Sequence, residues 1–145
     1  MAEYLKDFLV FKKGGKVIFS TCSGLIKDSL LFGGFIEALN SFYNLSLNDD
    51  LYQIEGHKFR ITFLSKSETQ FVGISLIDVN RNKVLEELEF LSNRFLELFP
   101  EIENKKYEND VRVFHKFFLE INNTRKIHTG KEFESNYLTY LLEDW

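Results

Sequence analysis

Tyr4-Leu5-Lys6-Asp7-Phe8-Leu9-Val10-Phe11 reads as a strand with two apolar faces. Successive strand side chains alternate, so Phe8 and Val10 point one way and Leu9 and Phe11 the other. A strand apolar on both sides belongs inside a sheet that is covered above and below. Thr69 to Ile77 reads the same way, with Phe71 and Ile77 on one face and Val72, Ile74 and Leu76 on the other. These two segments predict one sheet with helices on both faces.

Working outward, Lys13-Gly14-Gly15-Lys16 is a turn, because paired glycines reach positive φ at little cost. Val17-Ile18-Phe19 returns as a short second strand, expected at a sheet edge. Asp28 or Ser29 caps a helix to about Asn44. Its stripe reads as Leu31, Phe35, Leu39 and Phe42, with Glu37, Asn40, Ser41 and Asn44 opposite. Gly33 and Gly34 interrupt it, and each costs about 1 kcal/mol against alanine. Two readings stand open: close approach to the chain's own sheet, or close approach of a partner's backbone.

Leu51 to Glu55, His57 to Leu64 and Thr69 to Ile77 form a meander, with a turn at Ser65 to Glu68. Asn82 to Phe99 is a helix, with Val84, Leu88, Leu91, Phe95 and Phe99 in one stripe and Pro100 as its stop. Glu86 and Glu87 suit its positive end; with Glu89 they read as a solvated face. A further helix runs from about Tyr107 to Ile121 and ends at Asn122-Asn123, on a stripe of Tyr107, Val111, Phe114, Phe118 and Ile121. Residues 1–128 form the domain. Residues 129–145 form an amphipathic tail, expected to be a helix docked through Phe133, Tyr137, Leu141 and Trp145.

The 145 residues suit one domain. Sixteen Phe stand against one Trp and one Met, and rings without a polar group belong in a core or an interface. The net charge is −4 without a basic stripe, so no nucleic-acid partner is expected. The single cysteine, Cys22, forms no disulfide within the chain and favours a reducing compartment. No apolar run is long enough for a bilayer. A soluble cytoplasmic protein follows, peripheral to membranes only through partners and without direct insertion.

Catalytic signals are absent. Lys13-Gly14-Gly15-Lys16 lacks the helix N-terminus that phosphate binding uses. His57, His115 and His128 are scattered, which excludes a zinc cluster. Cys22 has no evident base and reads as a buried hydrophobe. No enzyme, cofactor or metal is expected.

The order β-β-α-β-β-β-α-α resembles the longin domain, the SNARE-like α+β fold with a five-stranded antiparallel sheet. The likeness rests on "YLKDFLVF", "KKGGKVIFS", "DSLLFGGFIEALNSFYN", "LYQIEGHKFRITFLSK", "TQFVGISLID" and the two helices that follow. The first helix is similar to those of archaeal longin-type proteins. The resemblance implies one helix on one face and two on the other. It implies a non-enzymatic scaffold or adaptor in membrane trafficking, paired as a homo- or heterodimer with another longin or roadblock-type domain, and a platform for small GTPases. Carried over, the protein-binding surface comprises Val17, Ile18, Phe19, Phe32, Gly33, Glu37, Asn40 and Ser41. The alternative is a small-molecule sensor of the PAS or GAF kind, which usually places more helices between the second and third strands.

Overall fold

A computed structural model describes residues 4–12, 14–21, 25–100 and 114–129. Five strands form one antiparallel sheet: β1 (Leu5–Lys12), β2 (Lys16–Ser20), β3 (Gln53–Glu55), β4 (Phe59–Lys66) and β5 (Thr69–Leu76), in the order β2-β1-β5-β4-β3. The strands read as two-sided, β1 and β5, are inner neighbours, with Val10 opposite Phe71. Helix α1 (Ser29–Phe42) lies on one face, while α2 (Arg81–Leu98) and α3 (His115–Thr129) cover the other. One helical stretch separates β2 from β3, unlike the PAS and GAF arrangement.

The sheet divides the core as alternation dictates. Phe8, Val10 and Phe71 join the α2 stripe, Phe114 just before α3, and Phe117, Phe118 and Ile121 within it. Leu9, Phe11, Val72 and Ile74 join Ile36 and Phe63 beneath α1. Rings meet edge-on at Phe95–Phe117 and Phe99–Phe114, a geometry favoured by the aromatic quadrupole.

Gly14 and Gly15 turn the first hairpin at φ +94° and +82°. In that hairpin Phe11 pairs with Val17 but Val10 pairs with Phe19, so Ile18 is the extra residue of a β-bulge. The bulge sends Ile18 and Phe19 into the same core layer.

Asp28 caps α1 by accepting from Leu31 N at 3.0 Å, and Asn80 caps α2 through Asn82 N and Lys83 N. Beyond Phe42 the helix widens into a π turn, Tyr43–Leu47, closed by Asn48 in the left-handed region. Such turns recur at functional sites.

Two readings need correction. Glu87 is 1 % exposed rather than solvated. Its carboxylate accepts from Tyr4 N at 2.7 Å and from Leu5 N, tying α2 to the start of β1. Asn122-Asn123 does not end α3, which continues to Thr129; two asparagines lower helix propensity only modestly, and Gly130 is the next breaker. Tyr107, Val111, Cys22 and the tail residues Phe133, Tyr137, Leu141 and Trp145 lie outside the described residues.

Candidate functional site

The outward face of α1 is apolar. The segment Ser29–Phe42 carries large apolar side chains on two adjacent faces, Leu31, Phe35 and Phe42 on one and Phe32, Ile36 and Leu39 on the other, so its spacing fits two seats on the sheet. A backbone contact decides between them. Gly33 rests on Gly15 of the hairpin turn so closely that a Cβ on either would overlap the other's carbonyl group. That contact turns Phe32, Ile36, Leu39 and Tyr43 inward. The expected buried stripe is thereby corrected: Leu31 is 72 % exposed, Phe35 55 % and Phe42 57 %, and only Leu39 packs on the core. Leu45 in the π turn extends the ridge at 87 % exposure. Scattered surface leucines are ordinary, but a contiguous apolar strip marks an interaction surface.

Beside α1 lies an open polar cleft of about 250 Å³ between the helix and the β4–β5 turn, lined among others by Lys12, Glu37, Asn40, Asp50, Glu68 and Gln70. Asn40 Nδ2 donates to Gln70 Oε1 at 2.9 Å, joining helix to sheet.

Other polar groups hold the fold. Arg60, buried in β4, donates to the Ile77 and Val79 carbonyl oxygens at 2.7 Å each. Glu55 receives Arg81 at 2.5 Å and Arg60 at 3.3 Å. Desolvation pushes the Glu55 carboxyl up, but hydrogen bonds from Arg81 and Arg60 outweigh it and hold the group below the usual carboxylate range. Arg94 bridges α2 to Glu120 of α3 at 2.5 Å, which raises its already high pKa. Among the described residues no group of three or more His, Cys, Asp and Glu side chains is placed to hold a metal. No described helix is long and apolar enough to cross a membrane.

The family model for the first longin domain of FUZ, MON1 and HPS1 matches residues 6–116. The chain belongs to this longin family. Among solved structures, MglB of Myxococcus xanthus superposes on the longin domain with a TM-score of 0.53 at 16 % identity, covering 67 % of this chain and 85 % of that one. That likeness supports the fold. A roadblock/LC7 domain from Streptomyces avermitilis gives 0.46 at 10 % identity over 65 % of this chain and 88 % of its own. The gliding protein MglB of Thermus thermophilus gives 0.47 at 9 % identity over 57 % of this chain and 69 % of its own. No curated protein matches.

The longin fold distributes the eight carried-over residues unevenly. Ile18 and Phe19 are buried in the domain's own core, so their side chains are not available to a partner. Gly33 is occupied by Gly15, which gives the first of its two open readings a physical cause. Val17 and Phe32 are half-buried against the layer beneath α1. Glu37 and Asn40 line the cleft, and Ser41 is exposed beside it. Periodicity alone misses Leu31, Phe35 and Phe42 as surface residues, because it assigns them to the core. The available signal is that α1 carries more large apolar side chains than one buried stripe needs.

Proposed function

We propose that this longin domain is a non-enzymatic docking module whose partner lies along the outward face of α1. The exposed row Leu31, Phe35, Phe42 and Leu45 carries this reading. Apolar area removed from water is the main driving force of association, and aromatic side chains are common interface anchors. Family membership supports a longin or roadblock-type partner, either a second copy or a different chain, and a role with small GTPases in trafficking-like machinery. β2 ends the sheet order, so strand addition beside it is a second mode of contact, since its buried side chains cannot reach a partner.

The test combines sedimentation of the purified chain with affinity capture from the source organism's lysate, with and without a non-hydrolysable GTP analogue, comparing wild type with Phe35→Asp. The reading expects a dimer, or a longin, roadblock or GTPase partner, that the wild type holds and the variant loses. A monomer whose captured proteins do not change with the substitution contradicts it.

A further inference from the structure

The apolar ridge and the polar cleft are parts of one continuous surface. Helix periodicity places Gly34, Ala38 and Ser41 between the ridge and the cleft residues Glu37 and Asn40. All three are exposed and small. A Cβ added at Gly34 would meet nothing within 4 Å, so packing inside the domain does not explain that glycine. A segment lying on this low strip would reach the ridge on one side and the cleft on the other.

The charge of the cleft states what that segment carries. Glu37 and Asp50 face one cation among the lining residues, Lys12. The carboxylates of Glu37 and Asp50 have no ion-pair partner among the described residues. Asn40, having donated to Gln70, keeps its own carbonyl oxygen as an acceptor at the wall. The chemistry is that of a receptor for a planar cation with several N–H donors, and arginine matches carboxylates in this way. A bilayer does not fit: Ser29 to Leu47 contains no Lys or Arg, whereas interfacial helices rely on them, and an acidic cleft repels anionic headgroups.

We infer that the partner is a protein segment that lays apolar side chains on the α1 ridge and inserts an arginine side chain into the cleft. This rests on the reading that α1 carries the partner, and deepens it by naming the partner's chemistry.

The probe is N-acetyl-arginine-methylamide, titrated into the ¹⁵N-labelled full chain beside its neutral isostere N-acetyl-citrulline-methylamide at matched ionic strength. The arginine compound alone is expected to give saturable shifts of the Asn40 and Gln70 side-chain amides. Combining Glu37→Gln with Asp50→Asn weakens that response by about fivefold, as two exposed ion pairs would. Equal responses to both compounds, or an arginine response unchanged in the double variant, overturn the inference. Phe35→Asp separates the two claims. If it abolishes partner binding while wild type shows no arginine response, only the cleft inference fails. If the arginine response is present but Phe35→Asp still binds partner, the reading of the ridge fails.

Discussion

Replacing Gly34 with alanine is expected to stabilise the domain, and the same change at Gly33 to destabilise it. At Gly34 the new methyl meets no atom within 4 Å, so the helix-propensity gain of about 1 kcal/mol is realised. At Gly33 the methyl overlaps the Gly15 carbonyl oxygen and lies 3.1 Å from Phe11 Cε1. The turn cannot yield, because Gly15 sits at φ +82° and its own Cβ position lies 2.8 Å from the Gly33 carbonyl carbon. Overpacking of this kind costs about 1–3 kcal/mol. After the propensity gain of about 1 kcal/mol, Gly33→Ala should lose up to about 2 kcal/mol. Urea unfolding reads both, as opposite midpoint shifts at constant slope. Equal stabilisation by the two variants would refute the Gly15–Gly33 contact, and with it the rotation of α1 that exposes the ridge. If Gly34 is kept for a partner, Gly34→Ala also weakens association while raising stability.

Phe35→Asp should change stability by no more than about 0.5 kcal/mol, as surface substitutions do, yet reduce partner affinity by about 30-fold, the loss typical of one anchor residue; calorimetry and a binding titration read the two effects. Glu87→Ala should cost about 2–3 kcal/mol in urea unfolding, because the N–H groups of Tyr4 and Leu5 lose a buried charged acceptor. Thr62→Val should raise the unfolding free energy by about 1 kcal/mol, read as a higher urea midpoint, since the buried Thr62 hydroxyl has no partner among the described residues. Glu55 has a folded pKa below its unfolded one, so its contribution is present above the ordinary, unfolded carboxylate pKa and is lost as pH falls through the lower folded value. Glu55→Gln should therefore lower stability at neutral pH and flatten the acid limb of a stability–pH profile.

The sheet was legible because β1 and β5 are apolar on both faces, a pattern that only inner strands of a covered sheet satisfy. The α2 stripe was legible because polar side chains occupy most of the rest of that helix. The α1 rotation was not, for the opposite reason. Phe32 and Ile36 compete with Leu31 and Phe35 for the core, and a contact with Gly15, far back in the first hairpin, decides between them. Glu87 was hidden in a run of carboxylates, although its position between Val84 and Leu91 places it beside the buried stripe. The bulge at Ile18 depends on register with β1, which local pattern does not encode. The cleft joins residues from β1, α1, the loop before β3 and the β4–β5 turn, so no single stretch of sequence announces it.

Site-specific photocrosslinking in the source cells tests the docking face most directly. A benzophenone side chain would replace Phe35 on α1 in one sample and Phe90, exposed on α2 across the sheet, in another. The account expects a discrete protein adduct from position 35, with a second copy or another longin, roadblock or GTPase partner, and little from position 90. Strong adducts at position 90 with none at position 35 would show that the partner sits elsewhere.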